Sequence, residues 1–537
     1  MPNQIGRREF IKATVALGAG TMLANTLESS EAMKKPNILF IMTDQQRFDT
    51  IASLGNSDIY TPNLDRLVKR GITFTNCYST CPECVPARAT IRTGCEPNKT
   101  LIYGNAYFDK PNPGQAPTIE GRCGLYLAKT MKNLGYRTFG IGKFHTIPWD
   151  EDLGYDVHLH SEEIYKNADQ RFRDSYSSWI AKEHSEFNFI EGLMGERTEM
   201  YYMPQMSTMP AEMTVERWAA DRAVEQIKSD SSKPYFGFVS FVGPHPPFAP
   251  PIPFNRMYDP DKMPNPLKGD INLDHMDEHI PWMNHLIWAE DINNSHARVL
   301  KARYYGEITY IDNCLGHILD AVDSTAGADN TLICFYADHG EHLGDHNAWQ
   351  KESFFEASCK VPMLLSWPAK LPAEKKRDEL VALTDLFGIA TNAAGASQPR
   401  DGIDVLDMLD GKVKPRESLI AYFGKPGENN FKVMLRKKQW KYIYIANGGR
   451  QQLFNIKDDP DESRNCIESN PDLASELRKE AVSACKATSA LKNNDFIEFP
   501  FEKFKYCRIY QFDLSRGIKT FPKEPKDVTG VQNSIEL

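Results

Sequence analysis

This 537-residue chain lacks a basic stripe, and 63 Lys and Arg stand against 72 Asp and Glu for a net charge of -9. A nucleic-acid binder needs a basic stripe to neutralise phosphates, so that class is excluded. Any anionic substrate must be drawn by a local group of cations. Long apolar runs are missing too: the stretch 13–24 is too short to cross a bilayer as a helix, and no stable membrane insertion is expected. No internal repeat is visible. The eleven cysteines are odd in number and scattered, unlike a disulfide framework, so mostly free thiols are expected.

What is present begins at the start of the chain. Gly6-Arg7-Arg8-Glu9-Phe10-Ile11-Lys12 precedes the small, apolar stretch and reads as a twin-arginine export signal. Ser30-Glu31-Ala32 offers the small residues a signal peptidase needs, which places the mature start near Met33 and the protein in the periplasm or outside the cell. The length exceeds one ordinary domain, and the texture changes near Pro415. The expected divisions are a signal at 1–32, a large domain at 33–415 and a C-terminal subdomain at 416–537. In the last, short strand runs at 419–423, 431–435, 440–445 and 452–456 predict an antiparallel sheet, with a turn at Asn447-Gly448-Gly449 and a helix over 473–485.

Residues 36–42 form a continuous apolar run ending in Thr43-Asp44-Gln45-Gln46, as a buried parallel strand does when it delivers polar groups at its C-terminal end. Similar runs at 136–141, 235–241 and 331–336 lead into Lys143 and His145, into His245, and into Asp338 and His339. Ligands of open α/β sheets bind at such strand ends, so the four exits are expected to converge on one edge. Tyr304, Ile308, Ile311, Leu315, Ile318 and Val322 recur at helical spacing and predict an amphipathic helix covering the sheet. Two stretches, 161–213 and 271–294, are rich in aromatic, Met, His and acidic residues. They read as surface insertions or as walls of a substrate cleft.

Cys84-Val85-Pro86-Ala87-Arg88, followed by Thr93-Gly94, resembles the signature of the formylglycine sulfatases. Cys81 lacks a proline two residues on, so only Cys84 qualifies. The resemblance runs from about residue 36 to about 480, where Asp459-Pro460-Asp461-Glu462 resembles the family's closing segment. It implies an alkaline phosphatase-like α/β fold: a large mixed, mostly parallel sheet sandwiched by helices, with a smaller C-terminal α+β domain carrying an antiparallel sheet. It also implies sulfate-ester hydrolysis. In that family a sulfatase-maturing enzyme oxidises the cysteine to 3-oxoalanine (formylglycine), whose hydrate attacks sulfur with one hydroxyl and expels sulfate when the other is deprotonated.

The resemblance assigns roles residue by residue. Asp44, Gln45, Asp338, His339 and the converted Cys84 hold the metal, Ca2+ with Mg2+ or Mn2+ as alternatives, because hard oxygen ligands dominate. Arg88 bonds the hydrated aldehyde, Lys143 and Lys351 bind sulfate oxygens, and His145 meets the hydroxyl that loses its proton. His245, set among prolines that restrict its backbone, is the general acid. Gln45 departs from the aspartate of many members and costs the site one negative charge. Phosphonate and phosphate-diester hydrolases of the same superfamily also carry Asp-Gln there and are the nearest alternative; a non-catalytic sulfated-glycan-binding protein is another. His342 and His346 stand four apart, as helical zinc ligands would, but Gly340 and Gly344 oppose a helix, so both are expected to order a loop. Export, an acidic surface and the aromatic insertions point to a sulfated polysaccharide or its oligosaccharides as the substrate. Nothing in the sequence speaks to oligomeric state.

Overall fold

The computed structural model describes residues 34–111, 113–162, 173–187, 201–269 and 275–505; the export-signal reading and the segment after residue 505 lie outside the described residues. Its centre is a nine-stranded sheet. Strands β1 (Asn37–Thr43), β2 (Ile72–Tyr78), β3 (Arg137–Gly142), β4 (Val157–His160), β5 (Tyr235–Ser240), β6 (Thr331–Ala337), β7 (Lys360–Ser366) and β8 (Lys375–Arg377) lie in the order β4-β3-β5-β1-β6-β7-β2-β8. The short β9 (Val381–Ala382) pairs with β2. The run β4 to β6 is parallel throughout, whereas β7 is antiparallel to both β6 and β2.

Burial on both faces explains the continuous apolar runs. Ile38, Phe40 and Met42 of β1 enter one core, while Leu39 and Ile41 enter the other. The first core is closed by helix α1 (Cys84–Thr93), through Ala87 and Ile91, and the second by α2 (Val215–Lys228) and α3 (Asn294–Asp323). Helix α3 extends the predicted helix by ten residues at its start, where Asn293 caps it by accepting from the His296 N–H at 2.9 Å. Its residues Ile311, Leu315, Ile318 and Val322 are the buried stripe foreseen from their spacing.

The C-terminal region is an antiparallel sheet of β10 (Ser418–Phe423), β11 (Lys432–Lys437), β12 (Trp440–Ile445) and β13 (Arg450–Asn455), backed by α4 (Pro471–Ala484). Its other face packs Leu419, Met434 and Ile443 on Tyr78, Cys359 and Leu380 of the large domain. A buried ion cluster lies in this junction. Lys441, with no exposed surface, sits 2.6 Å from Glu356 and 2.8 Å from Glu462, and donates to the Phe354 carbonyl at 2.7 Å. Tyr78 donates to Glu356 at 3.1 Å and accepts from Arg436. Burial pushes both carboxyls up; for Glu356 the nearby Lys441 and Lys360 outweigh it and hold the group at about 2, whereas Glu462 rises to about 7. Among the described residues no helix is long and apolar enough to cross a membrane.

Candidate active site

β3, β5, β1 and β6 are neighbours and parallel, so their C-terminal ends share one edge, as expected. Cys84 is the first residue of α1 and lies with no exposed surface over that edge, where backbone N–H groups point out of the helix. Every sequence-predicted site residue is described.

Asp44, Cys84, Asp338 and His339 form a buried group whose ligand atoms lie within 4.8 Å of one another. His339 Nε2 is 3.2 Å and Asp44 Oδ1 3.7 Å from Cys84 Sγ. His339 donates Nδ1–H to the Gly340 carbonyl at 3.0 Å, which fixes the tautomer and turns the Nε2 lone pair toward the cluster. Gln45 is settled similarly. Its amide nitrogen donates to Glu341 and to Gln350 Oε1, so its oxygen faces inward and accepts from Lys351 at 2.7 Å. Two carboxylates, one amide oxygen and one imidazole lone pair fit a divalent cation.

Three cations surround the same spot. Lys143 Nζ is 2.6 Å from Asp44 Oδ2 and 3.8 Å from Cys84 Sγ; Lys351 Nζ is 3.4 Å from that sulfur. Arg88 is the third. Its guanidinium reaches Asp44 at 2.8 Å, Asp338 at 2.9 Å and Ser240 Oγ at 3.0 Å, and thus braces both carboxylates of the cluster. Burial pushes Asp44 up, but Lys143 and Arg88 outweigh it and hold the carboxyl well below its usual range. Burial, with Asp44 beside it, pushes the Cys84 thiol well up against the pull of Lys143 and Lys351. A thiol in that state is no thiolate nucleophile.

The two histidines stand on shaped backbone. His145 adopts φ 50, and its N–H donates at 2.6 Å to Glu162, which also accepts from Phe144 N–H at 3.1 Å. Burial raises Glu162, but His160, His145 and Lys143 bring it down to about 2, so it stays an anion. His245 commits Nδ1 to the Pro246 carbonyl at 2.7 Å, so Nδ1 carries the ring proton, and Tyr201 meets its ring edge-on at 5.6 Å. Tyr201, from the stretch 161–213, therefore reaches the site. His342 pairs with Ser353 at 2.7 Å and His346 stacks on Phe355; Gly344 at φ 90 and His346 at φ 56 keep the segment a loop.

Sequence reasoning missed the residues that act through others: Glu341, Gln350 and Tyr202 around Gln45, and Glu162 under His145. Glu341 accepts from Tyr202 at 2.7 Å and from the Gln350 N–H at 2.9 Å. Its place three residues after Asp338 was the available signal.

The family model described as Sulfatase matches residues 36–396, and that described as N-sulphoglucosamine sulphohydrolase, C-terminal, matches residues 344–486. An arylsulfatase of Clostridium perfringens is 29% identical over 450 residues, covering 81% of this chain and 91% of its own length. A choline-sulfatase of Rhizobium meliloti is 29% identical over 461 residues, covering 81% and 83%. Among solved structures, a phosphonate monoester hydrolase of Agrobacterium radiobacter shares the fold at TM-score 0.68 and 23% identity, covering 83% of this chain and 95% of that one. A 2-O GAG sulfatase does so at TM-score 0.63 and 21%, covering 84% and 92%. With its strand-end constellation and a family match that spans most of the large domain, the chain belongs to the sulfatase family and is a sulfuric ester hydrolase.

Proposed function

We propose that the protein, exported by the twin-arginine route, removes sulfate from polysaccharides or their oligosaccharides, using a formylglycine made from Cys84 and a divalent cation, calcium in the first instance. The observation that carries this reading is convergence on one sulfur: His339, Lys351, Asp44 and Lys143 all lie within 3.8 Å of Cys84 Sγ. That sulfur stands where the hydrate oxygens of the converted residue would be. The raised thiol pKa supports conversion, because the unmodified side chain is a poor nucleophile. The carbohydrate part is supported by the GAG sulfatase likeness and by the sulphohydrolase match over residues 344–486.

Asp44, Gln45, Asp338 and His339 would hold the cation, which gathers negative charge around the nucleophile and the sulfuryl oxygens. Lys143 and Lys351 flank the reacting position and neutralise the remaining sulfuryl oxygens. His245 delivers a proton from Nε2 to the departing sugar oxygen. His145, fixed by Glu162, accepts the proton whose removal releases sulfate.

Gln45 and the likeness to a phosphonate monoester hydrolase favour one second reading, hydrolysis of phosphonate monoesters or phosphate diesters. Both readings are tested on protein made with an active maturing enzyme. Peptide mass spectrometry is expected to find the aldehyde at residue 84, Cys84→Ala to lose essentially all turnover, and a carbohydrate sulfate to outrun a phosphonate monoester in kcat/KM. Faster phosphonate turnover would replace the sulfate reading, and full activity with an unconverted Cys84 would end the formylglycine assignment.

A further inference from the structure

Cys95 and Cys123 lie outside the active site and are, in this structure, both reduced and both buried, at 2% and 8% exposure. Cys95 follows α1 directly, after the helix-ending Gly94. Cys123 closes the short helix Ile119–Cys123. The Cys95 sulfur is 3.9 Å from the Cys123 carbonyl oxygen, so the two cysteines meet across 27 intervening residues of chain.

Their encounter is fixed from both sides by arginines. The Arg400 guanidinium donates to the Thr93 carbonyl and, at 2.6 Å, to the Leu125 carbonyl. It thereby ties the residue two before Cys95 to the residue two after Cys123. Arg122 performs the complementary task, donating to Lys99 and Thr100 carbonyls beyond Cys95, each at 2.9 Å, and to Ala116 and Pro117 before Cys123. The thiols are thus held at a crossing that neither segment can leave without breaking these bonds.

We propose that Cys95 and Cys123 are a disulfide site, closed by thiol–disulfide exchange once the folded protein meets an oxidising compartment. The thiolate of Cys123 attacks a low-molecular-weight disulfide such as oxidised glutathione, forming a mixed disulfide and releasing one glutathione thiolate. Cys95, losing its proton, then displaces the second glutathione, and the protein S–S bond forms. Two protein thiols are oxidised, one glutathione disulfide is reduced to two thiols, and the two protons pass to the departing thiolates. Arg122 and Arg400 lie beside Cys123 and favour its thiolate. The cover is thin, because the neighbouring Gly121, Gly124 and Leu125 are exposed. The bond would fasten the far end of the nucleophile helix to the neighbouring surface segment.

The full chain, purified under reducing conditions, is equilibrated with oxidised glutathione, alkylated in denaturant and mapped by mass spectrometry without reduction. A peptide pair joining Cys95 to Cys123, a fall of two in free thiols, and a rise in Tm that dithiothreitol reverses are expected. In Cys123→Ser the paired peptide and the reversible Tm rise are absent. Separate alkylation of both cysteines in the oxidised wild type would overturn the proposal, as would the same thiol loss and Tm rise in Cys123→Ser. The wild-type peptide map decides the matter even if the variant fails to fold.

Discussion

Two buried charge clusters, one at the strand ends and one at the junction with the C-terminal sheet, hold the same kinds of group at the same depth. At the junction, Lys441 is enclosed by Glu356, Glu462 and the Phe354 carbonyl, and every contact ends on another protein group. At the strand ends, Lys143, Lys351 and His339 each reach an internal partner and also aim at one atom, Cys84 Sγ. Burying charge costs free energy in both places, and only mutual pairing offsets it. What separates the two is therefore convergence: the first points its charges at a single atom, where the proposed function places the substrate's charge, and the second closes on itself.

That contrast breaks or sharpens under mutation. The largest effect is expected from His245→Ala. A sugar alkoxide needs a proton as the S–O bond breaks and a nitrophenolate barely does, so kcat/KM should fall by roughly 10² to 10⁴ on a carbohydrate sulfate and far less on an aryl sulfate, with Tm unchanged. An equal loss on both substrates would make His245 a sulfate-binding group.

Lys441→Met should do the reverse. It leaves Glu462 without its cation and Glu356 with Lys360 alone, and breaking a buried pair in this way typically costs about 3–5 kcal/mol, while kcat/KM per folded molecule stays at the wild-type value. Denaturant unfolding beside activity assays checks both halves; lost activity in fully folded protein would erase the distinction between the clusters.

The smallest effect concerns Glu462, raised from an ordinary carboxyl value to about 7. Because its folded-state pKa is raised, its contribution to stability is fully present below the unfolded value near 4.5 and is lost as pH climbs through 7. Glu462→Gln should remove that slope, so the difference in unfolding free energy between pH 5 and pH 8 shrinks relative to wild type. An unchanged difference would mean that Lys441 keeps Glu462 ionised throughout.

Which parts were legible in the sequence follows from the same physics. β1, β3, β5 and β6 are buried on both faces and so appear as uninterrupted apolar runs, located to within a residue or two. β2 and β7 escaped notice: β2 has exposed Thr75 and a break in pairing between Phe74 and Cys77, and β7 carries Pro362 inside it. At the site, the groups gathered round Cys84 Sγ were legible because each follows a strand end or a motif. Arg88 was located but its partners were not, since its two carboxylates lie 44 and 250 positions away. Glu162 and Glu341 were invisible for the same reason: their work is done on a neighbour that only folding supplies.

All ten residues of α1 are buried, and Cys84 has no exposed surface. An enzyme that alters its side chain has no approach to it in the finished protein. Conversion as proposed is then a race against folding, won or lost on each chain within the lifetime of the unfolded state. The active fraction of a preparation becomes a kinetic yield and not an equilibrium: conditions that slow folding raise it, and a molecule that folds first stays inert however much maturing enzyme is supplied afterwards.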